Sequence, residues 1–123
     1  MEREKEIHED IRYIDFHCHP QLCPDCSTLK EDRILLANSY SHECFERIRK
    51  LATDHPHSVI PFYGIHPWAV ATLKEGELEE ISKDADELLE KDPCACVGEI
   101  GLDYLKVRDA EGREKQREVL KVF

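Results

Sequence analysis

Apolar residues along this chain recur in two alternating rhythms. Ile11 to Phe16, Ile34 to Ala37, Val59 to Ile65 and Ala95 to Ile100 are short apolar runs with the length and composition of buried strands. Between them the spacing becomes helical. Ser41 is placed to cap a helix whose Cys44, Phe45, Ile48, Leu51 and Ala52 share one stripe, closing before His55-Pro56. Thr72 with Glu75 has the form of a capping box, and Leu78, Ile81, Ala85, Leu88 and Leu89 follow at helical spacing up to Asp92-Pro93. A last pattern, Glu111 to Phe123, puts Val119, Leu120 and Phe123 on one stripe and ends the chain inside a helix. Two places are irregular. The stretch from His19 to Ile34 leaves room for only a turn or two of helix, at Thr28 to Arg33, and Pro61 removes a ladder donor, so regular pairing of the third run is expected to begin at Phe62.

Strand and helix in alternation predict an α/β fold with a parallel sheet covered by helices. A closed eight-stranded barrel takes about 250 residues. Four strands in 123 residues therefore amount to half a barrel or to a small open sheet. A single domain over residues 1–123 is expected, with residues 1–10 as a mobile terminus.

Composition narrows the function classes. Charged residues make up 36% of the chain and hydrophobic ones 41%, and no window approaches the ~18 consecutive apolar residues of a membrane span. The opening MEREKEIHED lacks the apolar stretch of a secretory signal, which points to the cytoplasm. A net charge of −10 works against capture of bare phosphate backbone unless bound divalent cations offset it locally. The six cysteines are expected to stay reduced there. Cys23 and Cys26 have the spacing of a zinc knuckle, to which Cys18 and Cys44 could add thiolates. Cys94 and Cys96 are spaced as alternating strand positions, however, and core or loop thiols are the stronger reading.

The stretch YIDFHCHP, Tyr13 to Pro20, concentrates the chemistry. Side chains alternate across a strand, so Asp15, His17 and His19 project from one face and Phe16 and Cys18 from the other. Taken alone, this is either a pair of polar residues in a loop or two imidazoles converging on one cation. VGEIGLDY tilts the balance. It puts Glu99 at the carboxyl end of an apolar run between Gly98 and Gly101, where a carboxylate is costly without a cation or hydrogen-bond donors. GIHPW places His66 just past the third run, with Pro67 fixing an extended backbone and Trp68 as a flat apolar wall. Three strand ends thus carry groups able to hold metal or polarise a substrate. The remaining histidines read as structural: His55 and His57 at a helix end, His42 on the surface of a first turn, and His8 in the terminus. The charge run Lys74 to Lys91 reads as a solvated helix face.

DFHCHP (Asp15 to Pro20), GIHPW (Gly64 to Trp68) and GEIGLDY (Gly98 to Tyr104) together resemble the TatD family of metal-dependent hydrolases, within the amidohydrolase superfamily. The closing REKQREVLKVF is similar to the start of the helix that follows there. The resemblance implies a TIM-type (β/α) barrel, of which this chain would hold about the first four strands. It implies two divalent ions, Mg, Mn or Zn, with His17 and His19 on one and Glu99 bridging to the other. It further implies that His66 lies near the scissile phosphate, that Asp15, Asp103 and Tyr104 support the site from behind, and that Glu99 and His66 are catalytic. Hydrolysis of phosphodiester bonds, with DNA as substrate, is the implied activity. The two histidines and the aspartate that the family takes from later strands have no counterpart among these four. A truncated or split form is therefore expected, or a non-catalytic module that self-associates or needs a complementing chain to cover its apolar face.

Overall fold

The structure, a computed structural model, describes residues 11–23, 29–30, 32–92 and 95–123. The mobility expected of residues 1–10 lies outside the described residues, as do His8, Cys26, Thr28 and Cys94.

Seven main elements alternate along the chain: β1 (Tyr13–Cys18), β2 (Arg33–Asn38), α1 (His42–Asp54), β3 (Val59–Tyr63), α2 (Glu77–Lys91), β4 (Cys96–Val97) and α3 (Ala110–Leu120). The strands form one four-stranded sheet in the order β1-β2-β3-β4, with every pair parallel. It is an open sheet, the arrangement of an incomplete TIM-type barrel. No helix among the described residues is long and apolar enough to cross a membrane.

The helices pack on one side of the sheet. Ala37 and Val59 meet Cys44 and Ile48 of α1, while Tyr63 and Ile65 meet Phe45 of α1, Ile81 and Ala85 of α2, and Val119 of α3. Ile48 is wholly buried, which favours the fold by about 1.5–3 kcal/mol relative to an exposed side chain. Among the described residues no helix packs on the opposite side. Ile14, Ile34 and Ile60 alternate with the helix-facing positions, and Ile14 and Ile60 are 51% and 39% exposed.

The helix caps show which local signals prevail. Ser41 caps α1 as expected, its Oγ accepting from Cys44 N at 3.2 Å. Thr72 does not cap α2. Its hydroxyl donates to Ala69 O at 2.7 Å and closes a 3-10 turn, Val70–Thr72. The cap falls instead to Gly76, at φ +86°, with Glu77 Oε2 accepting from Lys74 N at 2.6 Å. Leu89, expected on the buried stripe, is exposed. Asp109 caps α3 through Gly112 N at 2.7 Å, and the helix closes at Leu120 short of Phe123, whose ring meets Tyr63 edge-on at 5.3 Å.

Pro61 does not delay pairing, for β3 is in register with β2 from Leu35↔Val59 onward. Phe62 O accepts from Ser39 on the β2 side and Tyr63 O from Gly98 on the β4 side. Pro61, one residue before Phe62, therefore turns its missing donor toward β4, where pairing starts only at Phe62↔Cys96. β4 itself is shorter than the run Ala95 to Ile100 suggests, and Glu99 lies past its end. β1 begins at Tyr13 and includes His17 and Cys18.

Candidate metal centre

β1 is not a regular ribbon where it carries its histidines. Its register to β2 runs Asp15↔Leu35 and then Cys18↔Ala37, so one extra residue of β1 is accommodated between them. Such a bulge twists the strand and re-aims its side chains. Asp15 Oδ1 accepts from the His17 backbone N at 3.1 Å, holding that kink. Past it the His17 and His19 rings meet edge to face at 5.2 Å between centroids.

Glu99 completes the group. His17 Nε2 lies 3.1 Å from Glu99 Oε1, and His19 Nε2 lies 3.6 Å from Glu99 Oε2. Each of the three side chains offers a ligand atom within 4.8 Å of the others. Glu99 follows β4, while His17 belongs to β1 and His19 follows it directly, at opposite edges of the sheet. In a flat sheet three strand spacings would hold those edges about 14 Å apart. Contact at 3.1 Å therefore records curvature at the carboxyl ends of the strands, where Glu99 N also reaches Ser39 O, just past β2, at 2.7 Å.

Glu99 is held there by main chain. Its N–H donates to Ser39 O at 2.7 Å, and Ser39 N donates to both Phe62 O and Gly98 O, at 3.2 and 3.3 Å. The Ser39 hydroxyl, fully buried, donates to Gly64 O at 3.2 Å and accepts from Gly64 N at 2.9 Å. One small residue at the end of β2 thus ties together the ends of β3 and β4. Gly64 must be glycine because a Cβ would stand 2.6 Å from the Gly98 carbonyl carbon and 2.7 Å from Glu99 N. Gly98, at φ +158°, has the Asn38 amide oxygen where its own Cβ would be.

Asn38 also sets the state of His19. Its carbonyl lies 2.8 Å from His19 Nδ1, and a carbonyl can only accept, so Nδ1 carries the proton. In the neutral ring Nε2 is then a bare lone pair directed at a carboxylate oxygen. Two acceptors face each other stably only with a proton or a cation between them. Two imidazole nitrogens and a carboxylate, one ring oriented by a carbonyl behind it, form a donor set that fits a divalent metal.

The other expected residues are arranged around a second focus. His66 is not in the triad; its Nδ1 accepts from Trp68 N at 3.1 Å. Asp103 Oδ2 accepts from Trp68 Nε1 at 2.5 Å, and Asp103 Oδ1 accepts from the Leu105 and Lys106 amides at 3.1 and 3.0 Å. These bonds, the indole first, hold the Asp103 carboxyl below its usual range. Tyr104 turns to α3, where its hydroxyl accepts from Arg117 at 2.8 Å and Arg113 lies over its ring.

Sequence reasoning missed Asn38 and Ser39; their only signal is a pair of small polar residues after an apolar run, level with the other strand ends. It also placed His42 on the open surface. The residue is exposed, but Nδ1 lies 3.1 Å from the Tyr63 hydroxyl and Nε2 3.6 Å from Asp84, joining α1, β3 and α2. Burial, with Asp84 and Glu46 nearby, pushes the Tyr63 phenol well above its ordinary range. A 470 Å³ cavity adjoins His42 and Asp84, and none of the triad lines it.

The thiols described do not gather. Cys18 Sγ donates to Leu36 O at 3.5 Å, and burial, with Asp15 adding, raises its pKa to about 11. Cys44 is buried in the core and accepts from Gln21 at 2.8 Å.

A family model described as TatD related DNase matches residues 14–123. No curated protein and no solved structure matches the chain.

Proposed function

The chain belongs to the family of TatD related DNases, and we propose that it is a divalent-metal-dependent hydrolase of phosphodiester bonds, with DNA as its substrate. The observation that carries this reading is the convergence of His17, His19 and Glu99 from opposite sheet edges, with ligand atoms within 4.8 Å of one another. A divalent ion bound there supplies Lewis-acid chemistry, activating water and offsetting charge on a phosphoryl oxygen. The nitrogen-rich donor set suits Zn better than Mg. Three side chains would leave positions for water and substrate on such an ion, and Glu99, with two oxygens, would be the residue to share with a second one.

The chain's own residues have distinct tasks. His17 and His19 offer Nε2 toward Glu99, the latter's ring oriented by the Asn38 carbonyl. His66 accepts from Trp68 N through Nδ1, so its neutral ring bears the proton on Nε2, as a donor for a phosphoryl oxygen. Asp15 shapes the backbone of His17, and Asp103 anchors the indole next to His66.

The test is hydrolysis of a single-stranded oligonucleotide by the purified chain with Mn2+, Zn2+ or Mg2+, against a chelator control. Expected is metal-dependent cleavage that His17→Ala and Glu99→Gln each abolish. Cleavage that survives both substitutions, or no calorimetric binding of any of these ions, overturns the reading.

A second reading is favoured by the bare side of the sheet, where Ile14 and Ile60 stand exposed, and by Phe16 at 75% exposure on β1. It is a non-catalytic module whose apolar surface is covered by another polypeptide. Sedimentation of a monomer that melts cooperatively and cleaves DNA would dismiss it.

A further inference from the structure

Trp68 is the single tryptophan of the chain, and it is both 57% exposed and immobilised. Its indole N–H is tied to Asp103, and its backbone N–H to His66. The His66 ring stands against it at 5.0 Å, nearly perpendicular at 76°. Asp103 is secured in turn, because its backbone N–H donates at 2.8 Å to Gln116, a buried residue of α3. Lys106 completes the arrangement, its Nζ lying over one face of the indole, 5.2 Å from the ring centroid.

A large apolar ring held rigidly in solvent gains little for the fold from its open surface. For a flat aromatic ligand it is a preorganised partner, with the entropy of ordering already spent. An exposed indole paired with a cation is how unpaired nucleic-acid strands are held: the base stacks on the ring and the lysine turns off it to a phosphate. We propose that Trp68 and Lys106 form a stacking platform for an unpaired nucleobase of single-stranded DNA, holding the strand beside His66. The assignment of the ligand rests on the phosphodiesterase reading above. The chain's charge of −10 disfavours capture through phosphates alone, so stacking carries more of the affinity and binding depends only weakly on salt.

Because no other tryptophan contributes, intrinsic fluorescence reports the platform directly. With EDTA present to prevent cleavage, (dT)8 is expected to quench the emission saturably, while an abasic octamer and a DNA duplex leave it nearly unchanged. By anisotropy of a labelled (dT)8, Trp68→Ala weakens binding by about tenfold, and Trp68→Phe recovers most of it. Equal quenching by the abasic strand or by duplex, or no quenching at all, overturns the platform. Tighter binding of (rU)8 than of (dT)8 overturns its assignment to DNA. Calorimetric Mn2+ binding by the unaltered protein tests the metal centre separately, so failure of one reading is distinguishable from failure of the other.

Discussion

Asn38 decides which nitrogen of His19 is free: its carbonyl takes the Nδ1 proton at 2.8 Å, and Nε2 is left 3.6 Å from Glu99. A lone pair opposed to a carboxylate is relieved by an ion. Calorimetric titration with Mn2+ is expected to show one saturable event, which His19→Ala and Glu99→Gln each weaken at least tenfold, on the order found for groups that hold or orient metal ligands. Asp15→Ala, which removes a bond to the His17 backbone and no ligand atom, should weaken it less. Equal affinity in all four proteins would place the ion elsewhere.

Gly64 packs against the backbone that presents Glu99. Gly64→Ala forces a methyl to 2.6 Å from the Gly98 carbonyl carbon, and neither main chain can give way without moving the other. The expected loss is about 1–3 kcal/mol, read as a lower urea midpoint, with weaker Mn2+ binding in parallel. Unchanged values for both would show that the ends of β3 and β4 are loosely joined.

Ser39→Ala removes both hydroxyl bonds to Gly64 and leaves a buried N–H unpaired, at about 1–3 kcal/mol. Ser41→Ala removes a half-buried cap from α1 and should cost about 1 kcal/mol. Chemical denaturation of the two variants side by side tests the ranking.

The grouping of His17, His19 and Glu99 was legible because side-chain chemistry announces itself: imidazoles at alternate positions and a carboxylate between glycines are expensive arrangements. What supports them was not. Ser39 and Asn38 act through main-chain carbonyls, which every residue possesses, so no residue type marks the role. Strand bounds failed for a related reason. The run Ala95 to Ile100 is apolar enough for a strand, but after Val97 its hydrogen bonds go to Ser39 and Tyr63 as isolated links, a choice made by tertiary packing. Thr72 was misread because a hydroxyl that can cap a helix can equally close the turn before it.

Asp103 provides a pH signature. Its carboxyl is depressed below the usual 3.8, chiefly by the Trp68 bond and then by the Lys106 and Leu105 amides. A depressed carboxyl contributes stability that is present above its unfolded pKa and lost as pH falls through its folded pKa. Tryptophan emission should hold steady through pH 3.8 and change only below it, with far-UV ellipticity constant. Asp103→Asn should remove the step; a step that persists in that variant belongs to another group.

The histidine-bearing strand contributes nothing to either buried cluster, and five of its six residues face water. Yet it reaches across the open mouth of the arc to the far edge. A cation seated between those edges would act as a bowstring, keeping the sheet bent and its outermost ribbon pinned, so that charging the centre and tensioning the scaffold become a single event.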